Sequence, residues 1–140
     1  MFFLISQAQG TEWVLFAIDN SGNKCFYDRE TLTKLPTGVI KVWEKTAYSR
    51  KGVKIKIQNL NSNKLSTYRY ETLSHTLKLW EVDCAKRMER VTGFSEHSAD
   101  GGVLASFTAK LQPSENWQPV TPASIEEALY KTACPPQEKK

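Results

Sequence analysis

The sequence has few of the residues that build catalytic and metal sites. It contains three cysteines and two histidines in 140 residues, and none of them forms a CxxC motif or a Cys/His cluster, which argues against a structural zinc site. It also lacks the GxSxG, HExxH, P-loop and GxGxxG motifs that carry common chemistries. We therefore predict no catalytic, cofactor-binding or metal-binding residues, and we expect a protein that is not an enzyme.

Long apolar runs are missing as well. A transmembrane helix needs about 18 or more consecutive apolar residues, and no such run occurs. The composition, with 40% hydrophobic and 24% charged residues, is typical of a globular protein rather than a disordered one. The length suits a single domain with one core, which we place at residues 9–135, followed by a disordered tail at 136–140.

The first residues resemble the end of a secretory signal. An apolar run at residues 1–5 is followed by Ser6-Gln7-Ala8, the small-x-small pattern that signal peptidase recognises. We interpret residues 1–8 as a signal-peptide remnant, and the alternative is an ordinary first strand or a cloning remnant. A cleaved signal would place the protein in the periplasm, at the outer membrane or outside the cell.

Positive charge is concentrated in one part of the chain. The formal net charge is +4, and seven basic residues but a single acidic one lie between Lys41 and Lys64. The rest of the chain is nearly balanced, so the net charge does not describe a nucleic-acid-binding protein as a whole. We expect no nucleic-acid partner.

Alternating apolar residues and turn signals predict strands over most of the chain. Runs at residues 13–18, 24–27, 38–48, 73–83 and 102–109 have strand character and are separated by Gly, Pro, Asn and Asp. Residues 85–94 also resemble a strand, and a helix over Ala85–Val91 is the alternative, because its residues are good helix formers. The pattern predicts an α+β fold with a single antiparallel sheet of about six strands.

The basic segment from Arg50 to Lys64 contains Val53-Lys54-Ile55-Lys56-Ile57, which alternates apolar and basic residues. This pattern predicts an extra hairpin arm with a lysine face. Together with the nearby Tyr48, Tyr68 and Tyr70, the arm is a candidate site for an acidic polysaccharide or protein partner; the alternative is a solvated edge that its lysines protect from aggregation. The candidate residues are Arg50, Lys51, Lys54, Lys56 and Lys64.

The C-terminal region has the signals of a helix that packs on the sheet. Thr121 can cap it, Pro122 suits its first position, and apolar residues from Ile125 to Ala133 share one face. Cys84 ends a predicted strand and Cys134 ends this helix, whereas Cys25 lies in a strand where a small buried thiol fits. We therefore predict a Cys84–Cys134 disulfide, which indicates an oxidising compartment.

Ser95-Glu96-His97-Ser98-Ala99-Asp100 places serine, histidine and acidic residues close together in the sequence. A nucleophilic triad needs these groups to converge from separate elements, whereas adjacent residues of a strand point to opposite sides. We interpret the segment as a polar strand end and turn. The four tryptophans, Trp13, Trp43, Trp80 and Trp117, are more consistent with core packing than with a ligand platform.

Residues spread along the chain resemble one known family. They are Trp13, Phe26-Tyr27-Asp28, Val42-Trp43, Asp83-Cys84, Phe94-Ser95 before a glycine-rich turn, Trp117, and Pro122-x-Ser124 with Leu129 and Cys134. In this order they are similar to the surface-adhesin protein E family of Gram-negative bacteria. The chain departs from the family pattern by placing Cys25 where an aromatic residue is usual, and by its basic segment at 50–64.

The resemblance implies an antiparallel sheet with a C-terminal helix tied across it, and a non-enzymatic binding protein that is secreted or displayed at the surface. It implies host matrix or serum proteins such as vitronectin and laminin as partners, and a chain that can dimerise. The alternative is a periplasmic structural or assembly subunit of the cell envelope with no host ligand. No binding residue transfers from the family, because the matching positions have a structural character.

Overall fold

The computed structural model describes residues 12–136 and consists mainly of one antiparallel sheet of eight strands. The predicted signal remnant at 1–8 and most of the predicted tail lie outside the described residues. Neither α-helix within 12–136 is long and apolar enough to cross a membrane. The strands are β1 Trp13–Ile18, β2 Lys24–Asp28, β3 Thr33–Lys34, β4 Val39–Ala47, β5 Leu73–Asp83, β6 Met88–Ser98, β7 Val103–Thr108 and β8 Gln118–Pro119; the α-helices are α1 Arg50–Ser62 and α2 Ile125–Ala133, and a 3-10 turn spans Tyr70–Thr72.

Six strands form the body of the sheet in the order β1-β2-β4-β5-β6-β7, while β3 pairs with β4 and β8 pairs with β6. All pairings are antiparallel. The predicted α+β class is thus confirmed, and the two strands beyond the predicted six are two-residue pairings. The strand interpretation of residues 85–94 was correct in type over the helical alternative, but the strand is shifted: residues 85–87 form a turn and β6 spans Met88–Ser98.

The hydrophobic core lies on one face of the sheet. Val42 and Val82 on the central strands β4 and β5 are fully buried, and they pack with Leu129 of α2, which is 1% exposed. Because cross-strand partners in a sheet point to the same side, the register places Ile40 and Trp80 on this face too. We call it the covered face, since both helices lie on it.

The predicted disulfide is confirmed. Cys84 follows the end of β5 and bonds to Cys134, the C-cap of α2, with a Cα to Cα distance of 5.7 Å. The Tyr130 hydroxyl donates to the Cys84 carbonyl oxygen at 2.7 Å, which adds a polar contact to the same junction. Cys25 is a free and buried thiol, as predicted, and burial together with Glu44 and Asp19 raises its pKa to about 11.

Helix α2 begins later than the sequence signals indicated. Its N-cap is Ser124, whose hydroxyl accepts from the Glu127 backbone N–H at 3.0 Å. The Glu127 carboxylate in turn accepts from the Ala123 N–H at 2.9 Å. These two hydrogen bonds satisfy two backbone donors at the start of the helix. The predicted roles of Thr121 as the cap and Pro122 as the first helical residue were therefore wrong.

The hairpin predicted for residues 50–64 is also wrong, because the segment forms α1. Ser49 caps this helix by accepting from the Gly52 N–H at 2.9 Å. Val53, Ile57 and Leu60 repeat at the i, i+4, i+7 spacing of one helix face, and this spacing coexists with the short alternation that suggested a strand. The cap and the longer period together favour the helix.

The start of α1 is held against the turn that follows β1. Asn23 is buried, and its side-chain oxygen accepts from the Ser49 N–H at 2.9 Å. A Cβ atom at Gly52 would lie 2.0 Å from that oxygen. Glycine at this position therefore allows the helix to approach the turn closely.

Candidate binding surfaces

The five basic residues singled out in the sequence do not form one surface. Arg50, Lys51 and Lys54 are exposed, and at 100° per residue they fall on one arc of α1. Lys64 is exposed in the turn beyond the helix, where its φ of 57° is left-handed. Lys56 lies on the opposite side of the helix, toward the sheet.

Lys56 has a structural role. Its Nζ atom lies 2.6 Å from the Glu96 carboxylate, which is buried at 6% exposure. The Tyr70 hydroxyl donates to the other oxygen of the same carboxylate. The ion pair therefore joins α1 to β6 on the covered face, and Lys56 is a poor candidate for ligand binding.

The tyrosines near the basic segment are mostly unavailable for stacking. The Tyr48 hydroxyl is hydrogen-bonded to the Thr76 hydroxyl at 2.8 Å, and burial raises its pKa. Burial and the Glu96 carboxylate also raise the pKa of Tyr70. Tyr68 is 78% exposed, so it is the one tyrosine of the three whose ring can meet a ligand.

The opposite side of the sheet, which we call the open face, carries half-exposed aromatic and aliphatic residues. The strand register aligns side chains in rows across the sheet. One row consists of Leu15, Phe26, Lys45 and Leu77, and the neighbouring row contains Trp43 and Leu79. Within residues 12–136 no helix lies on this face, although the loop at 109–117 lies against one corner. The apolar patch is the kind of surface that marks protein interaction sites.

Lysines lie within and beside this apolar surface. The Lys45 ammonium lies 4.9 Å from the centre of the Trp13 ring and 5.3 Å from that of Phe26, which are cation–π distances. Burial among these rings lowers the pKa of Lys45. Lys41 lies further along the same strand and lines a shallow cleft of about 440 Å³ with Trp43 and Leu79.

The loop at 109–117 is fixed to the open face through Arg90. The Arg90 guanidinium pairs with Glu81 at 2.8 Å and donates to the carbonyls of Gln112 and Glu115. It also lies 4.4 Å from the centre of the Trp117 ring. Trp117 is therefore a half-buried residue at the end of this loop and not part of the core. Of the four tryptophans, only Trp80 is a core residue.

The Ser95 to Asp100 segment does not converge into a triad. Ser95 and His97 lie on the open face with their Oγ and Nε2 atoms 2.8 Å apart, and His97 stacks on His75 at 4.8 Å. Glu96 points to the covered face, and Asp100 pairs with Arg69. Across the described part of the chain, no cluster of three or more His, Cys, Asp or Glu residues could hold a metal ion.

Sequence reasoning did not identify the open face. Trp43 was assigned to the core, and the alternating Leu77 and Leu79 were used only to predict a strand. A signal was nevertheless present, because residues 39–43 place Val39 and Trp43 on one side of the strand and Ile40 and Val42 on the other. Such a strand has two apolar faces, whereas two short helices supply cover for only one.

Comparison with known proteins gives one match. The family model described as surface-adhesin protein E matches residues 13–135. No curated protein and no solved structure matches the chain. The match begins at β1 and extends to the residue after Cys134, so it covers the whole sheet, both helices and the disulfide. The chain therefore belongs to the surface-adhesin protein E family.

Proposed function

We propose that this protein is a surface-associated or secreted bacterial binding protein that docks an acidic protein partner on its open face. The observation that carries the proposal is the contrast in burial between the two faces of the same strands. Val42 is fully buried on the covered face, while its neighbour Trp43 stays half-exposed on the other. Membership of an adhesin family supports a binding role without catalysis.

Charge on the open face favours an acidic partner. Lys24, Lys41 and Lys45 project from neighbouring strands toward this side, and the nearby Glu81 is already paired with Arg90. The exposed arc of α1 carries Arg50, Lys51 and Lys54 on the covered side, from where they add long-range positive potential. Positive potential of this kind accelerates the encounter with a negatively charged partner, and the aromatic rings supply the buried contacts that hold it.

The class of partner that we propose is a host matrix or serum protein, and the location is the bacterial surface or the surrounding medium. The disulfide supports an oxidising location. Vitronectin and laminin are suitable test ligands, and heparin tests whether a sulfated polysaccharide competes for the lysines. The alternative is a role as an envelope subunit without a host ligand, and the binding experiment described next distinguishes the two.

Binding to immobilised vitronectin and laminin should be measured for the wild type and for paired variants. We expect Trp43→Ser and Lys41→Glu on the open face each to reduce affinity by about tenfold or more. Lys51→Glu with Lys54→Glu on α1 should mainly slow association, by severalfold at low salt. Lys131→Glu, an exposed lysine of α2 on the opposite side, is the matched control and should bind like the wild type.

Two results would contradict the proposal. If the wild type binds neither host protein and instead captures a bacterial protein from envelope extracts, the envelope-subunit alternative is favoured. If it binds but only the α1 variants lose affinity, the basic helix rather than the open face is the docking surface. Circular dichroism on each variant confirms that lost binding does not reflect lost folding.

A further inference from the structure

A second cleft lies on the covered face, beside the first turn of α2. It has a volume of about 740 Å³ and is separate from the open face discussed above. Strand β6, the short β8 with the residues around it, and α2 form its walls. The polar and aromatic residues that line it include Trp80, Glu89, Asn116, Gln118, Thr121 and Glu126.

Glu89 is a buried carboxylate without a complete set of partners. It pairs with Val82 across the sheet, and therefore points to the covered face. Its exposure is 5%, and its Oε1 atom has no hydrogen-bond partner among the described residues. A buried charged oxygen normally has a partner, so this atom is available to a donor that enters the cleft.

The surroundings of Glu89 add negative charge. Glu126 from α2 lines the same cleft, and Glu44 faces the covered side from β4. Burial first, and then the charges of Glu126 and Glu44, raise the pKa of Glu89 to about 7. Neither Glu89 nor Glu126 forms an ion pair within residues 12–136.

The nearest cation of the cleft wall is already engaged. Arg90 also lines the cleft, but its guanidinium pairs with Glu81 and donates to loop carbonyls on the open face. Lys78 is on the same face, with its ammonium 5.8 Å from the centre of the Trp80 ring and close to Glu44, but among residues 12–136 it forms no ion pair with Glu89 or Glu126. The cleft therefore presents two carboxylates with no countercharge of their own. This arrangement is complementary to a positively charged ligand.

We propose that this cleft binds a primary ammonium group, with Glu89 and Glu126 as its carboxylate partners and Trp80 as its aromatic wall. The cleft is far larger than a single ion, and in the described part of the chain no third acidic, histidine or cysteine ligand completes a metal site. An organic ammonium uses the available space, since its carbon chain can pack on the ring while its N–H groups reach carboxylate and amide oxygens. The ammonium group belongs either to a small amine or to a lysine side chain of a partner protein.

The proposal is tested by NMR titration of the folded, disulfide-bonded protein with n-butylammonium at pH 8, against equal concentrations of sodium chloride. We expect saturable shifts of the Glu89 carboxyl carbon and of the Trp80 indole resonance. Glu89→Gln and Glu126→Gln should each weaken binding about tenfold. Glu71→Gln, at an exposed glutamate of the 3-10 turn, is the matched control and should leave binding unchanged.

A second titration at pH 5.5 uses the ionisation of Glu89. If only its charged form binds, a pKa near 7 predicts affinity about thirtyfold weaker at pH 5.5 than at pH 8, because the competent fraction falls by that factor. n-Butylammonium remains charged at both values. Equal affinity at the two pH values would show that Glu89 is not the partner.

Two further titrations identify the ligand. A lysine dipeptide blocked at both ends that binds more tightly than n-butylammonium assigns the cleft to a partner side chain, and the reverse order assigns it to a free amine. The proposal is overturned if n-butylammonium causes no saturable shift, if Glu89→Gln binds as well as the wild type, or if calcium chloride shifts the Glu89 resonance while the amine does not.

Discussion

The two faces of the central strands have similar alternating sequences but different surroundings. On the covered face Ile40, Val42 and Val82 are nearly or fully buried beneath α2. On the open face Trp43 and Leu79 come from the same two strands and remain half-exposed. Alternation fixes which residues share a face, and the position of the helices then decides which face becomes core. The comparison separates residues that hold the fold from residues that are free to bind.

Loss of the disulfide should have the largest effect, because it ties α2 to the covered face. Replacing both Cys84 and Cys134 with serine opens a loop spanning 50 residues, for which chain entropy predicts a loss of up to about 4 kcal/mol. Urea denaturation measures the change in the free energy of unfolding. Cys25→Ala is the control, with an expected loss of about 1 kcal/mol; equal losses would show that the bridge adds no special stability.

A pair of leucine truncations compares the two faces directly. Leu129→Ala creates a cavity beneath α2 and should lower the free energy of unfolding by about 3 kcal/mol. Leu79→Ala, on the open face, should cost clearly less, about 1–2 kcal/mol, because its side chain is only partly buried. Chemical denaturation of both variants checks the contrast. Similar losses would mean that something covers the open face in solution.

Lysines on opposite sides of α1 test the same contrast between residues that hold the fold and residues that are exposed. Lys56→Met leaves Glu96 buried with only the Tyr70 hydroxyl as a described partner, and it should cost about 2 kcal/mol. Lys54→Met, on the exposed arc, should change stability by less than about 0.5 kcal/mol. Thermal unfolding distinguishes the two, and an unaffected Lys56→Met would place the ion pair among weak surface contacts.

The smallest effect concerns the pH dependence of stability. Glu89 has its pKa raised to about 7 in the folded state, principally by burial, whereas an unfolded glutamate titrates near 4.3. The folded protein binds this proton more tightly, so the stabilising contribution is complete at low pH and is lost as pH rises toward and through 7. Because Glu89 lines a cleft that solvent can enter, screening reduces the effect and the change should be roughly 1 kcal/mol.

Glu89→Gln removes this titration. Compared with the wild type, the variant should gain relative stability between pH 5 and pH 8. Urea denaturation at both pH values, with Glu71→Gln as the control, measures the difference in the free energy of unfolding. Parallel curves for wild type and Glu89→Gln would show that Glu89 titrates normally.

Much of the sheet could be predicted from local patterns. The β5 strand was expected at 73–83 and spans Leu73–Asp83, because long alternating runs bounded by turn signals allow little else. The disulfide followed from the same reasoning, since one cysteine ended a strand and the other a helix. Both predictions depended on residues close together in the sequence or at the ends of elements.

The elements that were missed depend on contacts that local patterns do not contain. The residues around Lys54 and Lys56 alternate over five positions, and so short a window fits a strand and a helix equally well. The Ser49 cap and the Asn23 contact select the helix, and the second of these joins residues distant in the sequence. The open face was missed for a similar reason, because its exposure depends on where α1 and α2 pack.

The bridge between Cys84 and Cys134 also divides the chain into two parts with different responses to proteolysis. Strands β6, β7 and β8 and helix α2 lie inside a covalent ring, whereas β1 to β5 and α1 precede it. A single protease cut in the exposed loop at 109–117 would leave both fragments joined, with the sheet and its two faces still connected. With the disulfide formed, this ring allows the fold to survive a cut in an exposed loop.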